Sequence, residues 1–264
     1  MCARNATRKT GASFTSPRGD PARDRGRDPG IIVTVTEDVL RELRGAIHRD
    51  DGESVVAWLA DRSWGDLLQH AGDGLLVALA EGVAGAPERA TACAEALRAR
   101  GWTGDDELAD QLEARRGGAA PMLRPLPVDL DELAGTLEGD PREPEGRIDR
   151  RTGEVWPGAL VDPVVSEIDT GDEDDDPERW LRVDNVGSRD GYRDMVRYAE
   201  DVTDPDVADR LLIALDGRGA FRRFRDVLDR WPDRVDSWRT FAAERRRGRA
   251  RAWLADEGYS PARP

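Results

Sequence analysis

The 264-residue chain is poor in several residue types that carry chemistry. Its two cysteines, Cys2 and Cys93, cannot form a disulfide framework, which fits a reducing cytosol. Cys93 lies among the small helix formers Ala90 to Leu97 and reads as a small apolar residue. The two histidines, His48 and His70, lack the cysteine or carboxylate spacing of a zinc site. A neutral surface or helix-packing role is expected of both, and no metal or other cofactor is expected. Lysine occurs once, at Lys9, so almost every cation is arginine. GC-rich coding explains that bias more simply than a need for bidentate contacts. No apolar run approaches the ~18 residues of a membrane span. The basic N-terminus lacks the apolar core of a secretory signal. A cytoplasmic protein without a membrane partner is the expectation. The chain contains no Gly-x-Ser-x-Gly elbow, no Cys-x-x-Cys pair, and no Walker or Rossmann glycine pattern.

What is abundant is charge, unevenly placed. Charged residues make up 36% of the chain and hydrophobic ones 38%, with a net charge of −14. Residues 129–178 carry 18 acids against 4 arginines, and residues 218–251 carry 12 arginines against 5 acids. Such halves either attract one another within the fold or present a basic face to an anionic partner.

Residues 1–30 are rich in Arg, Asp, Pro, Gly, Ser and Thr and read as a disordered tail. Residues 31–116 read as a small helical module. Thr36 and Ser54 are candidate N-caps, Pro87 suits a first turn, and the last helix ends at Gly117-Gly118. Residues 117–127 read as a linker, with Gly, Ala and three prolines. Residues 128–258 follow as a second domain. A short helix spans Asp129–Leu137, and a β-hairpin is expected around Arg147–Trp156. A strand is possible over 161–168, then an acidic loop over 169–178 and a strand at Trp180–Val183. Helices from Ser188 and Asp204 precede two more, divided near Trp231-Pro232. The expected fold class is α+β and mainly helical. A short antiparallel sheet is joined to C-terminal helices and preceded by a small all-α module.

The second domain carries a recognisable order of short motifs. These are Pro127-Val128-Asp129-Leu130-Asp131-Glu132-Leu133, then Ile148-Asp149 with Thr152-Gly153-Glu154-Val155, and Arg179-Trp180-Leu181. Gly217-Arg218-Gly219-Ala220-Phe221-Arg222-Arg223-Phe224 is the most specific, followed by Trp238 to Leu254. In these motifs the chain, over residues 126–255, resembles the bacterial family UPF0158, an uncharacterised protein family. The helical module is similar to an N-terminal extension that some actinobacterial members carry. The resemblance implies no reaction, cofactor or catalytic residue.

The candidate binding residues are Arg218, Arg222, Arg223, Trp238, Arg245, Arg249 and Trp253. Helical projection sets Arg245 and Arg249 between Trp238, Phe241 and Trp253. Arginines in an aromatic stripe need partners when buried, because an unpaired buried charge is very costly. Those partners are the domain's own acids, aromatic faces, or an external phosphate or carboxylate. The leading functional reading is a non-enzymatic intracellular binding or regulatory module, with a protein partner on the helical module. The second is nucleic-acid or phosphate-ligand binding through the C-terminal Arg/Trp face. The third, a carboxylate enzyme using Asp129, Asp131 and Glu132, is weaker, because acids at a helix start also simply complement its dipole.

Overall fold

A computed structural model describes residues 37–62, 64–158 and 176–262. The tail read over 1–30, the cap at Thr36, the strand over 161–168 and the acidic stretch 169–175 lie outside the described residues.

Among the described residues, five helices come first: α1 (Glu37–His48), α2 (Gly52–Ala60), α3 (Leu68–Ala80), α4 (Ala86–Arg100) and α5 (Asp105–Arg115). Their apolar faces enclose one core, with Leu43, Val55, Leu67, Leu75, Leu97, Leu108 and Leu112 wholly buried. The cap of α2 is Asp51, not Ser54: its side chain accepts from the Ser54 N–H at 2.9 Å. Helix α4 carries proline in its first turn as expected and closes on Gly101 in the left-handed conformation.

The stretch read as a linker ends in a strand, β1 (Arg124–Leu126), which pairs in parallel with β5 (Tyr259–Pro261). Helix α6 (Leu130–Leu137) starts at Asp129, whose carboxylate accepts from the N–H groups of Asp131 and Glu132 at 2.7 and 3.1 Å. The expected hairpin forms from β2 (Gly146–Asp149) and β3 (Val155–Trp156), and β4 (Trp180–Val183) pairs antiparallel with β2. Period-two alternation buries Ile148, Val155, Leu181 and Val183 against Leu133, Leu254 and Tyr259. Arg147 and Trp180 meet on the other face, the guanidinium carbon 4.1 Å from the ring centre.

Helices α7 (Arg189–Asp201), α8 (Pro205–Leu215), α9 (Ala220–Leu228) and α10 (Pro232–Asp256) complete a mainly helical α+β fold. A third core lies between them, built on Met195, Tyr198, Leu211, Phe224 and Leu228. Aromatic edges close it. Phe224 and Tyr198 meet Trp238 at 5.0 and 5.3 Å between ring centres.

Helix α10, with 25 residues, is the element the second and third cores share. Ala250 and Leu254 enter the sheet core, while Trp238 and Phe241 pack on the third. Its remaining side meets α3 and α5 of the first five helices. There the backbones touch. A Cβ on Gly248 would stand 2.3 Å from the Thr103 carbonyl oxygen, and one on Gly104 would stand 2.0 Å from that of Gly248. Both neighbours are main chain, so neither can yield by turning a side chain. Gly248→Ala should therefore destabilise the chain by about 2–4 kcal/mol, read as the shift in a urea transition. A loss within ~0.5 kcal/mol would mean the two segments separate freely.

Candidate functional site

The side of α10 that faces α3 and α5 carries charge into the interior. Glu244 is 1% exposed and sits against the start of α3. That helix begins after Leu67 with no capping side chain and no acid in its first turn. Glu244 supplies both from 174 residues away. It accepts from the N–H groups of Gln69 and His70 at 2.7 and 3.0 Å. These belong to the second and third residues of α3, whose N–H groups a cap normally satisfies. Glu244 also accepts from Arg100 at 3.1 Å and lies 2.6 Å from His70 Nδ1. Arg44 reaches the other ring nitrogen of His70 at 3.0 Å and can only donate. The ring hydrogen therefore lies on Nδ1, toward Glu244. Burial works against ionising Glu244, but His70, Arg100 and the Gln69 N–H outweigh it and hold the carboxyl below its usual range.

Two helical turns on, Arg251 is wholly buried. It donates to Gln69 at 3.0 Å, Gln111 at 2.8 Å and Asp73 at 2.5 Å. Arg247 donates to the other oxygen of Asp73 at 2.6 Å and meets Asp131 at 3.1 Å. Burial opposes ionisation of Asp73 too, yet Arg251 and Arg247 bring its pKa down to about 2. Asp105 completes the set, accepting from Arg100 at 2.7 and 2.9 Å and from Gln69 at 2.9 Å. Arg100, Arg247 and Arg251 thus balance Asp73, Asp105 and Glu244. Cys93 is buried among helices α3 to α5. Burial first, and then the nearby Glu244, push its thiol up to about 12, which leaves it without nucleophilic character.

Arg245 and Arg249 lie on another side of α10. Arg245 donates to Asp194 at 2.9 Å and lies over the Trp102 ring at 5.0 Å. Arg249 donates to the second oxygen of Asp194 at 2.6 Å and to Glu138 at 2.8 Å. The chain's own acids occupy both guanidinium groups. Trp238 is part of the third core, and Trp253 packs against the sheet core.

The turn between α8 and α9 separates its residues by role. Gly217 and Gly219 both take the left-handed conformation, with φ of +75° and +78°. Arg223 folds back over this turn. It donates to the carbonyls of Ala214 at 3.1 Å and Gly217 at 3.3 Å, and also to those of Asp216 and Arg218. It thereby satisfies the carbonyls that end α8. Phe224 is buried, whereas Arg218, Phe221 and Arg222 face solvent.

The family model described as an uncharacterised protein family, UPF0158, matches residues 123–263. The chain belongs to that family. A UPF0158 protein of Pseudomonas aeruginosa is 30% identical over 142 residues, covering 53% of this chain and 89% of the relative. No solved structure matches. So little of the relative remains unmatched that a module the size of α1–α5 has no room in it. Glu244, Arg247, Gly248 and Arg251 lie within the family region, and their partners Gln69, Asp73, Gly104 and Gln111 lie within the extension.

Of the residues singled out from sequence, the fold brings Arg245 and Arg249 together on Asp194 and gathers Arg218, Arg222 and Arg223 at one turn. Sequence reasoning missed Glu244, Arg247 and Arg251. One signal was available: Glu244 is the single acid between residues 237 and 255 of an arginine-rich helix.

Acid should reveal this network. Asp73 has a folded pKa of about 2 against an ordinary value of 3.8. Its contribution is complete above the unfolded pKa and is lost as pH falls through the folded one. It is on the order of 2 kcal/mol. Asp73→Asn should lower stability at pH 7 and flatten the fall in stability between pH ~4 and ~2. An unchanged slope over that window would show that Asp73 is not held by Arg247 and Arg251.

Proposed function

We propose that this protein is a non-enzymatic binding module whose recognition surface is the exposed side of the turn between α8 and α9. One observation carries the reading. Residues 217–225 hold four arginines and no acid in a chain of net charge −14, and three of the four face solvent. Helix α9 begins at Gly219 without a side-chain cap and without an acid in its first turn. Cations there oppose the helix dipole, at a cost of roughly 0.3–1 kcal/mol each. An anionic partner relieves that repulsion. The surroundings favour a protein partner. Among the described residues, the exposed large apolar side chains include Ile213 (74%), Phe221 (41%), Tyr192 (38%) and Leu212 (36%). Tyr192 donates to the Leu215 carbonyl at 3.1 Å, and Phe221 lies beside Gly191, so α7, α8 and α9 meet around this turn. An acidic segment with an apolar anchor matches the arrangement.

A phosphate-bearing ligand, including nucleic acid, is the second reading, because Arg218 and Arg222 suit phosphate as well as carboxylate. The acidity of the whole chain opposes it.

The two readings separate in one experiment. A photo-crosslinking amino acid at Phe221 of the full chain, in its native host, should capture one protein species. Arg218→Glu with Arg222→Glu should abolish that capture while the thermal transition stays within ~0.5 kcal/mol of the parent. Capture of nucleic acid that weakens steeply between ~50 and ~200 mM salt would move the assignment to the second reading. Capture that survives the charge reversal would overturn both.

A further inference from the structure

The separation of charge along the sequence is only partly used up inside the fold. On α10, Arg245 and Arg249 share Asp194, and Arg247 and Arg251 share Asp73. Before that helix, arginines are left over. Among the described residues, no ion pair reaches Arg218 or Arg225, and Arg222 has only Asp226, at 3.8 Å. The acids leave a remainder of the opposite sign. Glu138, Asp131 and Asp149 meet Arg249, Arg247 and Arg179. The loop over residues 140–145 carries Asp140, Glu143 and Glu145 against Arg142, and all six of its residues are exposed. Among the described residues, none of those three acids enters an ion pair.

This loop is held in shape by groups other than its charges. The Asn185 amide donates to the carbonyls of Asp140, Pro144 and Glu143 at 3.2, 3.1 and 3.4 Å. The Glu143 N–H donates to the Asp140 carbonyl at 2.9 Å, and the Arg142 N–H to the Asp140 carboxylate at 3.0 Å. Pro141 and Pro144 fix two further torsions. A loop so braced loses little conformational freedom when it binds. Beside it stands Val186, 57% exposed, whose N–H donates to the Leu137 carbonyl at 2.8 Å. Glu143 and Glu145 with Val186 make an acidic segment with an apolar anchor, the chemistry that suits the α8–α9 turn.

The two surfaces flank the start of α7. A Cβ on Gly187 would meet the Pro141 ring at 3.1 Å, and one on Gly191 would meet the Phe221 ring at 3.6 Å. These glycines are four residues apart, a span of at most about 14 Å. A face that holds both signs side by side is self-complementary. A two-fold axis between two copies sets the acids of each on the arginines of the other. We propose that the partner of the α8–α9 turn is a second copy of this chain, bound through such a two-fold contact. Residues 140–145 and Val186 of each copy lie on Arg218, Arg222 and Phe221 of the other. The inference rests on the reading of that turn as a recognition surface. The net charge of −14 on each copy opposes their approach at a distance. Salt at ~0.15 M screens that repulsion beyond about 8 Å and leaves the close pairs.

Sedimentation velocity of the purified full chain at ~0.15 M salt should show monomer giving way to dimer, with a dissociation constant on the order of 10 µM. Arg218→Glu with Arg222→Glu should weaken the dimer by about tenfold or more, and so should Glu143→Arg with Glu145→Arg. All four positions are exposed, so each double variant should melt within about 1–2 °C of the parent. An equal mixture of the two double variants should dimerise again, to within about threefold of the parent, because each supplies what the other has lost. A parent still monomeric at about 200 µM would overturn the dimer. So would double variants that dimerise alone as tightly as the parent, or a mixture that stays monomeric. If the purified chain is monomeric while the cross-linker at Phe221 captures a different protein in the host, the dimer is overturned and the recognition surface stands. If neither association occurs, both readings fall.

Discussion

The carboxylate of Glu244 is the constraint on which the arrangement depends. It sits in α10, yet it completes the start of α3, accepting from the second and third N–H groups of that helix. A buried acid without partners would cost several kcal/mol and would protonate instead. Here His70 and Arg100 complete its set. Because the same acid cannot stay ionised away from α3, the position of α10 and that of the extension are fixed together. Removing Glu244 would uncap α3 and leave Arg100 with Asp105 alone, a loss of about 3–5 kcal/mol by comparison with other broken buried pairs.

Around that acid the interface is built from charge and close backbone contact. Asp73 takes one oxygen to Arg251 and the other to Arg247, which fixes the rotation of α10 about its axis. The approach of Gly248 to Thr103 and Gly104 fixes the depth at which it lies. Such an interface gives specificity of docking, since a slip of one residue leaves a buried cation facing carbon. A side effect is visible in α10 itself. Its faces are spent on two cores and an ion network, so an arginine-rich helix that suggests a ligand-binding face is largely structural.

Much of the fold was legible in the sequence for local reasons. Asp129 and Asp204 announce helix starts because a carboxylate two or three residues before the orphan N–H groups can reach them. The hairpin at Arg147–Trp156 and the split at Trp231-Pro232 follow from β-branched alternation and from the fixed φ of proline. The partners of Arg245 and Arg249 were foreseen as a requirement, though not as Asp194 and Glu138. What was illegible is non-local. Nothing near Leu67 marks a cap, because the cap lies on another helix. The linker reading of 117–127 rested on composition, whereas β1 forms there because β5 returns beside it. Gly248 reads as an ordinary weak point of a helix until the turn at Gly104 is set against it. In the α8–α9 turn the glycines and Arg223 are explained by backbone geometry, which leaves the exposed Arg218, Phe221 and Arg222, the last with an i,i+4 pair to Asp226 at 3.8 Å.

Native-state hydrogen exchange on the full chain tests the central claim most directly, comparing the parent with Glu244→Ala. If Glu244 joins the extension to the family region, the slowest amides of α3 and of α10 share one opening free energy in the parent. Both should then fall together, by about 3–5 kcal/mol, in the variant. Amides of α3 and α10 that open with separate free energies in the parent, or a variant in which only α10 loses protection, would contradict it.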